Sequence, residues 1–272
     1  MFTTARFTGQ QPLISWEAWL RLFAQNMQSL SALDLVYFVA VVLLSYGMRG
    51  STGLGAIGMP LLAFILPIKV LVPVWSLLGA ASSIAILGRD YRHVSGHEFV
   101  AFIPWCVFGI GIGLYVFKVL DAQTLARGLG TVVLIYGGYS LSTTVRAVTS
   151  WRLPLRIMTP IAGTLSGIVG TVFGTMASFF FAMYLDIKRI SKQAFRATVS
   201  AMLLTLSIIR GIGYFAVGEF TLEVLLVFLA AFPLMLIGIY LGDRIHVRLN
   251  ELTFRRVVGV MFVLCGVSLI LK

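Results

Sequence analysis

The sequence predicts an all-α, polytopic integral membrane protein made of two homologous inverted repeats, each with a Gly-rich broken opening segment followed by three spans. Three observations predict it. Of the 272 residues, 59% are hydrophobic and only 11% charged, and the mean hydropathy is +0.97, far from the balance that gives a soluble domain its polar surface. The charges come in short bursts such as Arg89-Asp90-Tyr91-Arg92 and Lys188-Arg189, and the apolar stretches between them are long enough to cross a hydrocarbon core, which takes roughly 20 helical residues. Lastly, the chain repeats itself. A β-barrel is excluded because Phe99–Phe117 and Val224–Leu241 are apolar throughout rather than alternating.

Residues 1–30 lack the uninterrupted apolar core and small-residue cleavage site of a signal peptide, so the segment is expected to be retained. Trp16, Leu20, Phe23, Met27 and Leu30 fall on one helical face, with Glu17, Arg21, Gln25 and Gln28 elsewhere. That pattern predicts an amphipathic helix lying in the membrane interface.

Residues 31–147 form the first transmembrane repeat. Its opening segment, Ser31–Leu66, has 36 residues, about 54 Å of helix at 1.5 Å per residue. It is too long for one span and is interrupted between Arg49 and Gly58, so a hairpin of two short or half helices is expected, re-entrant or crossing. Three plain spans follow, about Val70–Leu87, Val100–Val119 and Leu125–Thr144. A basic linker occupies residues 148–157, and the second repeat occupies 158–272.

The repeat is carried by three blocks in the same order. Gly50-Ser51-Thr52-Gly53 aligns with Gly167-Ile168-Val169-Gly170. Lys69–Val94 aligns with Lys192–Val217, and Gly109, Gly113, Gly130 and Gly137 pair with Gly238, Gly242, Gly259 and Gly266. If each opening segment returns to the side it left, each half crosses an odd number of times and the second half is inverted. Loop charges favour this arrangement: it puts 13 Lys and Arg on one side and six on the other, against 11 and eight if each opening segment crosses once.

Inverted repeats that open on broken helices point to a secondary transporter with its site near the bilayer midplane. Gly50, Ser51, Thr52 and Gly53 in the first half, and Ser166, Gly167, Gly170, Thr171 and Thr175 in the second, offer close backbone approach and hydroxyl donors. The same small residues also serve close helix packing. Arg49 and Arg210 are the arginines deepest in apolar sequence; they either snorkel to an interface or meet a buried anion. Asp34, Asp186, Glu219 and Glu223 lie at segment ends, so no carboxylate is expected to pair with the arginines at depth. Ser76 with Ser83, and Thr198 with Thr205, share helix faces at a spacing of seven and are candidate site hydroxyls, with back-bonding to their own helices as the alternative.

Other chemistries have little support. The 21 Lys and Arg against 10 Asp and Glu are read as a topology signal, with no soluble domain to bind nucleic acid. Cys106 and Cys265 sit in apolar helices and suggest neither a disulfide nor a metal site, and His93, His97 and His246 lie in loops. No cofactor is implied: the chain has no Gly-x-x-x-x-Gly-Lys for ATP and no nucleophile with a base, so an enzyme is not expected.

Ser166-Gly167-Ile168-Val169-Gly170, and Gly50-Ser51-Thr52-Gly53-Leu54-Gly55 with Met59-Pro60, resemble the paired signatures of the sulfite exporter TauE/SafE family of membrane transporters. This sequence departs from the family pattern in its triple glycine, reduced to Gly174 in the second half and to Gly55 with Gly58 in the first. The resemblance implies a multi-pass protein of the cell inner membrane that exports a small sulfur-containing anion, sulfite or an organosulfonate. Both termini are expected on the extracytoplasmic side, and the partners are the anionic substrate and the lipid bilayer, with a homodimer left open. A passive anion channel and a non-transporting scaffold subunit are the competing readings.

Overall fold

The structure is a computed structural model that describes residues 31–52, 57–145, 155–187, 192–244 and 251–271. The expected interfacial helix in residues 1–30 lies outside the described residues, as does most of the basic linker. The described residues form ten α-helices and contain no strand. In the first half these are α1 (Ala32–Thr52), α2 (Gly58–Leu62), α3 (Ile68–Asp90), α4 (Gly96–Val119) and α5 (Ala122–Val145). In the second they are α6 (Leu155–Phe173), α7 (Ala177–Ile187), α8 (Lys192–Ala216), α9 (Leu222–Arg244) and α10 (Glu251–Leu271). Five described helices are long and apolar enough to cross a membrane, at Ala32–Gly50, Ile68–Gly88, Gly96–Val119, Ala197–Ala216 and Leu222–Gly242, and Ile157–Phe173 and Gly259–Leu271 are shorter apolar helices.

The opening segments are hairpins with unequal arms. In the second half Ser166 donates to the carbonyl of Ala177 at 3.1 Å, and Tyr184 meets Thr159 farther back along α6. Thus α7 retraces α6. In the first half the Tyr37 hydroxyl donates to the carbonyl of Leu61 at 3.0 Å, and a Cβ on Gly58 would sit 2.6 Å from Ser45 Oγ. The chain after α1 therefore turns back along it too.

One expectation needs correction. The hairpins are not built of two half helices, since the outgoing arms have 21 and 19 residues and the return helices only five and 11. Within the second Gly-rich segment, Ser166–Thr175, the break falls at the C-terminal end and not at Ser166–Thr171. Those residues are helical, and the turn comes at Gly174–Met176, where Gly174 (φ 67°) and Met176 (φ 68°) adopt the left-handed conformation. Helix persists through Gly167 and Gly170 because backbone amides in hydrocarbon have no water to bond. The Gly167 glycine is used for packing: a Cβ there would overlap the carbonyl of Cys106 and crowd Gly109.

The helices pair as α5 with α10, α3 with α8, α4 with α6, α9 with α1, α9 with α3 and α4 with α8. Exchanging α1–α5 for α6–α10 leaves this scheme unchanged. Pro104 in α4 and Pro233 in α9 stand at matched positions within it. Glycine contacts give the directions. Gly130 faces Gly266 and Gly137 faces Gly259, each built Cβ lying 2.9 Å from the opposite carbonyl oxygen, so α5 and α10 run antiparallel. Gly79 faces Ser207 and Gly211 faces Ser76, so α3 and α8 are also antiparallel. By contrast Gly109 meets Gly167 and Gly113 meets Thr171, making α4 and α6 parallel; Leu43 meets Gly238 and Gly47 meets Gly242, making α1 and α9 parallel. Close approach at small residues supplies the van der Waals contact that holds helices together where lipid is as apolar as the core.

Candidate functional site

The crossing of α3 and α8 carries a small cavity of about 30 Å³. Arg49 of α1, Trp75 and Gly79 of α3, and Leu203, Ser207 and Arg210 of α8 line it. The hairpin turn contributes Gly174, Thr175 and Met176, and the first residues of α7 contribute Ala177 and Ser178. Gly79 lies at the middle of α3, which puts the cavity near half depth.

The two arginines reach it from different halves. Arg49 is 9% exposed and Arg210 3%. Arg49 donates from Nη2 to Ser83 Oγ at 2.7 Å and to the carbonyl of Gly79 at 3.4 Å, while its Nε has no acceptor among the described residues. Arg210 donates to the carbonyl of Gly170, to the carbonyl of Leu206 at 3.3 Å and to Ser207 Oγ at 3.3 Å. All of these partners are neutral, and no described carboxylate pairs with either guanidinium. The arginines lie within electrostatic reach of each other, so two like charges border one cavity.

The hairpin adds to the positive field. As α7 begins at the cavity wall, its first amides have no helical acceptor and its dipole presents its positive end. The hydroxyls of Thr175, Ser178 and Ser207 complete a donor-rich wall, and Trp75, Met176 and Leu203 form the apolar one.

The structure distributes the sequence-predicted site residues over several tasks. Arg49, Arg210 and Thr175 line the cavity. Ser83 holds Arg49, Gly170 accepts from Arg210, and Ser166 ties the start of α7 to α6. Thr171 accepts from the Tyr214 hydroxyl through its carbonyl, and its own Oγ1 is buried with no partner among the described residues. Gly50 packs against Ile239 and Gly167 against α4. Ser76 and Thr205 bond back to the carbonyls of Pro73 and Ala201, and Thr198 accepts from the amide of Ser95 at 3.0 Å, away from the cavity. Gly53 and the side chains of Ser51 and Thr52 lie outside the described residues.

Sequence reasoning missed Trp75, Gly79, Leu203 and Met176, apolar or small residues indistinguishable in sequence from ordinary span residues. Ser207 carried a signal, as a hydroxyl one turn before Arg210. Glu98 was missed too. In the first turn of α4 it is buried at 7% exposure and accepts from the Tyr184 hydroxyl, so a buried carboxylate does exist, though outside the cavity.

No curated protein and no solved structure matches the chain. The model of the family described as Sulfite exporter TauE/SafE matches residues 35–269. That match takes in both hairpins, both arginines and every residue lining the cavity. Because that match covers most of a helical chain with several membrane-spanning helices, the chain belongs to the sulfite exporter TauE/SafE family.

Proposed function

We propose that the chain is a secondary transporter that exports a small sulfur-containing anion, sulfite or a close relative, by alternating access between two inverted repeats. The observation that carries this reading is the convergence of Arg49 and Arg210, with no described carboxylate between them, on one cavity at mid-helix. Inversion is supported by the antiparallel packing of the repeat mates α3 with α8 and α5 with α10, since equivalent helices that oppose each other in direction enter the bilayer from opposite sides. The cavity lies where those halves meet, so rocking one half against the other would expose it alternately to each face. The loop-charge bias favours both termini outside, in the cell inner membrane.

The test is sulfite flux into proteoliposomes holding purified protein. Saturable flux with counterflow is expected. A linear, unsaturable flux would instead indicate a channel, and the absence of any flux would remove the transport reading.

A further inference from the structure

We propose that Trp75 sets the size limit of the anion site, so that it admits a compact oxyanion head and rejects the same head carrying a carbon tail. The proposal rests on the anion-transport reading above and adds a residue and a selectivity to it.

The cavity is sided. Arg49, Arg210, Thr175, Ser178 and Ser207 offer donors, and Trp75, Met176 and Leu203 offer the apolar surface. An anion whose oxygens engage the donors must point any tail at the apolar wall. The room available is about 30 Å³, where a single water needs roughly 10–15 Å³ on the same measure. That is room for two or three water-sized groups, so the four heavy atoms of sulfite already fill it and the two further carbons of an ethyl group add to the crowding at the wall.

The indole is held so that it cannot yield. Trp75 is 5% exposed, and its ring packs against Tyr46 with centroids 5.8 Å apart. On another side, a Cβ at Gly58 would come within 2.7 Å of Trp75 Cζ2, so the start of α2 is already in contact with the indole. A small residue at Gly58 thus makes room for the large one that narrows the cavity.

The repeat itself does not require this bulk. In the alignment of Lys69–Val94 with Lys192–Val217, the partner of Trp75 is Thr198, which accepts a hydrogen bond from the amide of Ser95 and does not line the cavity. The architecture accommodates a small side chain at that position in one half and a tryptophan in the other, and the tryptophan is the one that lines the cavity with the two arginines.

The experiment measures kcat/KM for sulfite and for ethanesulfonate in proteoliposomes, using the full chain and the variants Trp75→Ala, Trp75→Leu and Trp75→Phe. Wild type is expected to prefer sulfite strongly. Trp75→Ala should raise the ethanesulfonate-to-sulfite ratio by about tenfold or more, the scale on which a pocket discriminates one or two carbon groups. Trp75→Leu should raise it less, and carries the test should the alanine variant fail to fold; Trp75→Phe should shift it least. An unchanged ratio in Trp75→Ala and Trp75→Leu while sulfite still moves would overturn the role of Trp75 and leave the anion reading standing. Comparable transport of both anions by wild type would overturn the size limit itself. Movement of neither anion by wild type would overturn the transport reading and this inference together.

Discussion

Arg49→Gln separates the two things a buried arginine can be, a structural tie or an anion ligand. Among the described residues Arg49 gives one short bond to Ser83 Oγ, one long one to the carbonyl of Gly79, and none from Nε. A hydrogen bond to a charged group is worth about 1.5–3 kcal/mol, so loss of the guanidinium should weaken anion binding by about 2 kcal/mol, about 30-fold in Kd. Thermal unfolding in detergent reads this directly. With sulfite at about 100 times the wild-type Kd, wild type gains about 2.7 kcal/mol of stability and the variant only about 0.9 kcal/mol. At about 2–4 °C per kcal/mol, the ligand-induced shifts differ by several degrees. Without ligand the variant should unfold no earlier than wild type, because the substitution removes one of two like charges buried without a carboxylate. A variant that keeps the full sulfite-induced shift would refute the anion role. A ligand-free variant that collapses would show the arginine to be a structural tie instead.

Further outcomes follow from packing and from charge. Gly109→Ala should lower the unfolding temperature sharply, because the new Cβ overlaps the Thr164 carbonyl and sits 3.0 Å from Gly167 Cα; overpacking costs about 1–3 kcal/mol. Gly111→Ala, two residues along α4 with nothing within 4 Å of its Cβ, should be neutral or gain up to about 1 kcal/mol in helix propensity; equal losses in the two variants would contradict the parallel seam of α4 and α6. Asp121 caps α5, accepting from the Thr124 hydroxyl at 2.5 Å and from the amides of Thr124 and Gln123 at 3.1 and 3.0 Å. These bonds, the Thr124 hydroxyl first, hold its carboxyl below the ordinary carboxylate range. The cap therefore contributes fully above that range and is lost as pH falls through the lowered value. The stability difference between wild type and Asp121→Ala should be present at neutral pH and shrink on acidification; a difference that grows toward acid would reverse the assignment.

The parts of this protein that were legible in sequence are those written in one dimension. The span Gly96–Val119 could be read from hydropathy because the bilayer acts on every residue of a helix at once. Arg49 and Arg210 stood out because a guanidinium at depth is costly enough to need a reason. The glycine blocks pointed to a repeat because matched glycines recur in the same order in both halves. Which glycines break a helix and which only pack could not be read: Gly167 and Gly174 are alike in sequence, yet one sits inside α6 against Cys106 and the other takes a positive φ at the turn.

Sequence alone determined that the chain lives in a membrane and is helical, and it singled out two arginines deep in apolar sequence as residues that either reach an interface or meet an anion. Only the tertiary structure decided that residues 49 and 210 face one cavity, that Trp75 and Leu203 wall it, and that Glu98 is buried under Tyr184 rather than left at an exposed helix end. Hydropathy and periodicity are properties of single segments, which lipid and water read locally. A cavity is a property of crossings, set by how closely α3 and α8 approach at Gly79 and Ser207 and by where α7 turns back, and no single segment carries that information.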